Sequence, residues 1–188
     1  MHIPTHLMLS WVVGHRLQER RDRRLVTWAG VAADLDGLSI LAGLDAYGRW
    51  HHVLTHGLFA GLLISIVCSR WAKNPLKVLW LGLGAFHLHL VCDFLGSGVD
   101  WPIQYFWPLS DTVYHTPYGW ELAAWQNWIA TIVLLIVCGR LAVSSGHSVA
   151  ETVLSPAGDA AVVAALRQRF SPQSAFSPAK PQRDLETY

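Results

Sequence analysis

The sequence predicts an all-α fold: a polytopic helical membrane protein with about four transmembrane helices plus a short N-terminal helix. Three observations indicate this class. Hydrophobic residues make up 52% of the 188 residues and charged residues only 14%, against the ~25% charged residues of ordinary soluble domains. Four apolar stretches approach the length of a membrane span, and the basic residues lie between alternate stretches. This composition excludes intrinsic disorder for most of the chain.

Each expected helix follows from its own stretch of sequence. Residues 3–13 are apolar but shorter than the ~20 residues that cross a bilayer, so they predict the short N-terminal helix. The long apolar stretches are residues 26–46, 54–72, 76–95 and 122–143. None of them alternates polar and apolar residues as a half-buried strand does. We expect a membrane-embedded domain over 1–145 and a cytoplasmic tail over 146–188, with a short helix within 149–170 and disorder from 171 onwards.

The basic residues orient the expected spans. In the four-span arrangement, 13 of the 14 Lys and Arg residues fall on one side of the membrane, and only Arg49 falls on the other. The positive-inside rule makes the basic side cytoplasmic. We therefore expect a multi-pass protein of the bacterial inner (cytoplasmic) membrane. A compact soluble all-helical protein is the alternative. The net charge of +1 gives no reason to expect direct nucleic acid binding.

Ionisable residues inside the apolar stretches are the candidates for function. A charge in the hydrocarbon core costs at least ~2.5 kcal/mol and usually marks a functional site. The candidate residues are all imidazoles or carboxylates, which are ligands that zinc and similar divalent ions use. They are His6, Asp34, Asp36, His51, His56, His89 and Asp93. His89 and Asp93 are four residues apart, so a helix puts both on one face.

Two details leave alternatives open. Asp34 and Asp36 lie ~200° apart around an α-helix, so both can face one site only if the helix is broken, and Gly37 is the expected break. The carboxylates could instead form a proton or cation relay, as in transporters. Lone histidines such as His87 and His115 are more often hydrogen-bonded core residues than ligands. The expected site lies towards the non-cytoplasmic face, where the ends of the second and third spans meet.

Four short blocks, in order, resemble the YdjM-like family of inner-membrane-associated metal-dependent hydrolases, a family described as LexA-binding. The blocks are PTHLMLSWVVG, AADLDGL, HHVLTHG and HLVCDFLGSGVDWPIQYFWPLS. They contribute His6, the two aspartates of the second block, His51, Thr55 and His56 from the third, and His89 and Asp93 from the fourth. Ala33 stands where the family's second block has Pro, and His52 and Val53 stand where its third block has Arg-Gly. The LexA association is implied by the resemblance alone.

The resemblance implies a membrane-bound metal-dependent hydrolase that acts on a phosphoester or phospholipid through a metal-activated water. One or two divalent ions, with zinc as the first choice, would be held by the seven candidates. Because seven exceed the four ligands of one zinc, either two ions bind or some candidates only orient the ligands. Asp36 is the expected general base, and His52 or His115 would neutralise developing charge. The alternatives are an ion-coupled transporter and a non-catalytic membrane scaffold whose tail binds a cytoplasmic partner.

Overall fold

The computed structural model describes residues 1–170, which form an all-helical fold as expected. The α-helices are α1 (Ile3–Gly14), α2 (Arg20–Val31), α3 (Leu44–Trp50), α4 (Leu58–Arg70), α5 (Pro75–Gly96), α6 (Trp125–Ser145) and α7 (Pro156–Phe170). Two 3-10 segments, Ala32–Ala42 and Val149–Thr152, complete the secondary structure. Within the described part of the chain no β-strand forms, and Ile103 and Tyr114 make one isolated bridge. The disorder predicted for 171–188 lies outside the described residues.

Three of the helical stretches are long and apolar enough to cross a membrane. They are Arg20–Ala42, Pro75–Gly96 and Trp125–Ser145. The predicted span at 54–72 contains the shorter helix α4, whose 13 residues rise only ~20 Å, less than the ~30 Å hydrocarbon core. This helix begins at Leu58 because residues 51–57 form turns that carry three histidines.

Residues 16–24 contain five arginines, and the sequence predicts that they form a connection between apolar stretches. In the structure this arginine-rich segment is helical from Arg20 onwards. Helix α2 begins at Arg20, so the later arginines of the segment lie in its first turns. Arg is a good helix former, and a buried partner fixes one of these side chains. Arg23 donates two hydrogen bonds of 2.6 Å to the carboxylate of Glu151, which also accepts one from the indole of Trp11 at 3.0 Å. This contact holds the Val149–Thr152 segment against α1 and α2.

Small residues let α1, α2 and α5 pack closely in the centre of the bundle. A Cβ atom placed on Gly30 of α2 would lie 2.2 Å from Ser10 Oγ on α1 and 2.9 Å from Ala85 Cβ on α5. Helix α4 meets α5 in the same way, because a Cβ on Gly61 would lie 2.6 Å from the ring of Phe86. These contacts bring α1, α2, α4 and α5 close together around the centre of the bundle.

Candidate metal centre

The predicted site residues come from four parts of the chain that converge at one end of the bundle. Helix α1 carries His6, the 3-10 segment Ala32–Ala42 carries two aspartates, the turns before α4 carry three histidines, and the last turns of α5 carry His89 and Asp93. The α-helical winding stops at Val31, which is earlier than the break expected at Gly37. In the tighter 3-10 winding, residues two apart point in different directions, so Asp34 and Asp36 approach the site from different sides.

Four side chains form a compact set of donors. One ligand atom from each of Asp34, His56, His89 and Asp93 lies within 4.8 Å of all the others. His89 Nε2 is 2.9 Å from Asp93 Oδ2 and 3.5 Å from Asp34 Oδ1. His56 Nε2 is 3.3 Å from Asp93 Oδ2 and 3.9 Å from Asp34 Oδ1. Four ligands at ~2.0–2.2 Å from a tetrahedral ion stand about 3.3–3.6 Å apart, so the spacing fits a divalent cation.

The hydrogen bonding of these atoms also fits a cation. His89 Nε2 and Asp34 Oδ2 are buried and have no hydrogen-bond partner among the described residues. The side chain of Asp93 is 2% exposed and that of Asp34 is 20% exposed. Asp93 is paired with the amino terminus of Met1, whereas Asp34 Oδ2 has no partner among the described residues, and native structures pair buried carboxylates with cations or metals. The donor set therefore suits a metal ion that the partly open Asp34 side leaves accessible.

Asp36 lies behind His56 and fixes its orientation. Its Oδ2 is 2.9 Å from His56 Nδ1, and its Oδ1 is 2.8 Å from His51 Nδ1. Since a carboxylate only accepts hydrogen bonds, this contact assigns a proton to His56 Nδ1 and leaves Nε2 as the ligand atom. The backbone N–H of Thr55 also donates to Asp36 at 3.3 Å. Asp36, His51 and His56 in addition form a second group whose ligand atoms lie within 4.8 Å of one another.

The two remaining predicted residues surround Asp93. His6 Nε2 is 3.1 Å from Asp93 Oδ1, and its ring stacks on that of His89 with the centroids 3.7 Å apart. His52 Nδ1 donates to the carbonyl oxygen of Trp101 at 3.1 Å, while its Nε2 lies 3.9 Å from Asp93 Oδ2. Burial, with a smaller contribution from His56, lowers the pKa of His52 to about 3. A neutral imidazole supplies no positive charge at pH 7 but offers an Nε2 lone pair.

All seven predicted ligands thus lie together, and two further histidines lie apart from them. His87 donates or accepts at both ring nitrogens, with the Leu83 carbonyl at 2.8 Å and the Tyr105 hydroxyl at 2.9 Å, as expected of a core residue. His115 is exposed in the loop after α5, so the expectation that it is a core residue is wrong.

Besides the amino terminus of Met1, which donates to Asp93 Oδ1 and to Ser97 Oγ, the sequence analysis missed two neighbours of the site. Ser97 donates to Asp93 Oδ1 at 3.0 Å, and its position one turn after Asp93 was an available signal. The second is Trp101, whose carbonyl oxygen fixes the ring of His52. That contact is made by the backbone, so no residue type signals it.

Comparison with protein families gives one match. The family described as YdjM inner membrane protein matches residues 1–170, which include every predicted ligand and all seven α-helices. Comparisons with curated proteins and with solved structures give no match.

Proposed function

The chain belongs to the YdjM inner membrane protein family, and from that premise we propose that it is a membrane-bound metal-dependent hydrolase. One observation carries the proposal: the donors of Asp34, His56, His89 and Asp93, of which the last three are buried, have the mutual spacing of a divalent-ion site. The chemistry that suits such a site is hydrolysis of a phosphoester, and a phospholipid is the substrate class nearest to hand in a membrane. We propose zinc as the ion and the non-cytoplasmic face as the side on which the site opens.

The ligand roles follow from the contacts of each side chain. His56 and His89 would bind the ion through Nε2, and Asp34 and Asp93 would each bind through one carboxylate oxygen. When bound, the ion lowers the pKa of a coordinated water from ~15.7 towards ~7 and polarises a phosphoryl oxygen. Asp34 has the most exposed side chain of the four, so substrate would approach from its side.

The surrounding residues position these ligands. Asp36 accepts hydrogen bonds from His51 and His56, which favours a positioning role over the expected role as general base. His52 is held beside the ligand set, because its Nδ1 donates to the Trp101 carbonyl and its Nε2 lies 3.9 Å from Asp93 Oδ2, but a pKa of about 3 makes it a weak base at neutral pH. His6 and Ser97 hold the outer oxygen of Asp93. A second ion at Asp36, His51 and His56 would instead make Asp36 a ligand.

Metal analysis of the purified full-length chain tests the site directly. We expect stoichiometric divalent metal in the wild type, and its loss in His56→Ala and in His89→Ala. His87→Ala is the matched control, since His87 lies on the same helix two residues before His89 and contacts Tyr105 instead of the cluster. Unchanged metal content in both cluster variants would remove the site.

Hydrolysis of a chromogenic phosphodiester tests the reaction separately from the metal. We expect activity that disappears on chelation and returns when zinc is restored. Full activity in metal-free protein would contradict the proposal. A metal-loaded protein that hydrolyses nothing but conducts ions in proteoliposomes would favour the relay that the buried aspartates suggested.

A further inference from the structure

A shallow surface cavity runs along α2 from its first residue, Arg20, to Trp28. It has a volume of about 450 Å³ and is lined by three arginines, a leucine and a tryptophan: Arg20, Arg21, Arg24, Leu25 and Trp28. No carboxylate is among these lining residues. The cavity therefore combines concentrated positive charge with an apolar wall, and the proposed hydrolytic reaction uses neither.

Two of the arginines are held in place mainly by backbone carbonyl groups, and the Nε of Arg20 also lies 3.8 Å from a carboxylate oxygen of Glu151. Arg20 donates to the carbonyl oxygen of Glu151 at 2.9 Å and to that of Leu154. Arg24 donates to the carbonyl oxygen of Thr152 at 3.2 Å. Carbonyl oxygens orient a guanidinium group without cancelling its charge, and each guanidinium keeps other N–H donors for a ligand. The carboxylate of Glu151 is already engaged by two hydrogen bonds from Arg23.

The order of residues along α2 matches the layers of a membrane surface. Arg20 and Arg24 are one turn apart on the same face, and so are Arg21 and Leu25. Trp28 is 45% exposed and lies ~12 Å further along the helix than Arg20. Tryptophan with its ring exposed beside the first turns of a span is typical of the membrane interface. If this helix spans the bilayer, its charge would lie at headgroup depth and its apolar surface at the depth of the upper acyl chain.

We propose that this cavity binds the phosphate of an anionic phospholipid, with the acyl chains along Leu25 and Trp28. Guanidinium groups pair with phosphate through parallel N–H donors, and basic pockets at the cytoplasmic ends of spanning helices suit anionic headgroups. The site is separate from the metal centre, so the lipid here is a bound ligand and not the hydrolysed substrate.

Native mass spectrometry of the purified full-length chain tests this site. After addition of phosphatidylglycerol or phosphatidylcholine, we expect retained adducts of the anionic lipid in clear excess. R21Q/R24Q should reduce the phosphatidylglycerol adducts about thirtyfold and leave the phosphatidylcholine adducts unchanged. The matched control R167Q/R169Q removes the same charge from α7 and should behave as the wild type.

Three results would overturn the proposal. They are equal retention of the two lipids, equal loss of adducts in the control, and displacement of phosphatidylglycerol by millimolar inorganic phosphate, which would indicate a site for a soluble anion. Arg21→Glu gives a second test that preserves folding, because the exposed Arg21 side chain lies on the cavity and can be reversed in charge without entering the core. It should lower phosphatidylglycerol retention while metal content stays that of the wild type.

Discussion

Asp34 and Asp36, from one 3-10 segment, lie next to opposite ring nitrogens of His56. Asp36 contacts Nδ1 of His56 at 2.9 Å, whereas Asp34 lies on the Nε2 side at 3.9 Å. A carboxylate behind a ligating histidine fixes the tautomer and raises the basicity of the ligand nitrogen. Asp34 is therefore a candidate ligand and Asp36 a positioning group. The two roles differ only in the side of the His56 ring on which each carboxylate lies.

This arrangement predicts a graded effect for Asp36→Asn. The amide retains the shape of the side chain but removes the negative charge beside His56, so affinity for the metal should fall about 10–100-fold without disappearing. Competition with a chelator of known affinity measures the change. Asp45→Asn, on the exposed first turn of α3, should have no effect. Complete loss of metal, equal to that in His56→Ala, would show instead that Asp36 is a direct ligand.

Close packing between helices makes glycine essential at particular places. At Gly30 of α2 a Cβ would stand 2.2 Å from Ser10 Oγ and 2.9 Å from Ala85 Cβ, whereas at Gly84 of α5 nothing lies within 4 Å. We expect Gly30→Ala to destabilise the protein by about 1–3 kcal/mol through overpacking. Gly84→Ala should be neutral or stabilising, by up to about 1 kcal/mol, because alanine is the better helix former. Thermal unfolding in detergent measures both, and equal melting temperatures would contradict this description of the α1–α2–α5 contact.

The helices were predictable from the sequence to different degrees. Apolar length alone predicted α5 and α6 closely, since a long helix needs only a continuous apolar run. It did not predict that Ala32–Ala42 winds as a 3-10 helix, because hydropathy is insensitive to the rise per residue. Nor did it show that α4 begins only at Leu58. The turns before α4 are stabilised by contacts to distant residues, such as Asp36 with Thr55 at 3.0 Å.

The candidate site was more predictable than the path of the chain around it. Histidine and aspartate in apolar surroundings are conspicuous in any register, so all seven candidates could be named without knowing how they meet. Their roles depended on tertiary geometry. Asp36 and Asp93 are both buried carboxylates. Asp36 lies against Nδ1 of His51 and His56, whereas Asp93 lies against Nε2 of His6, His56 and His89.

In the whole molecule, the basic residues and the candidate metal ligands lie at opposite ends of the helices. The candidate ligands lie where α1 begins, α5 ends and the turns before α4 lie. The opposite end holds the basic residues. They are the arginines of the first turns of α2, Lys73 between α4 and α5, Lys77 in the first turn of α5, and the arginines of α7. The positive-inside rule then predicts that the basic end is cytoplasmic and that the candidate metal centre faces away from the cytoplasm.

Cysteine labelling in intact cells tests this orientation. In a background where Cys68, Cys92 and Cys138 are replaced by alanine, a membrane-impermeant maleimide should label Asp111→Cys, which lies in the exposed loop between α5 and α6. Lys73→Cys and Arg169→Cys are also exposed, but they should react only after the membrane is permeabilised. Because all three positions are accessible in the folded chain, a difference in labelling reports the side of the membrane and not burial. Labelling of Lys73→Cys in intact cells with protection of Asp111→Cys would reverse the orientation and place the metal centre on the cytoplasmic side.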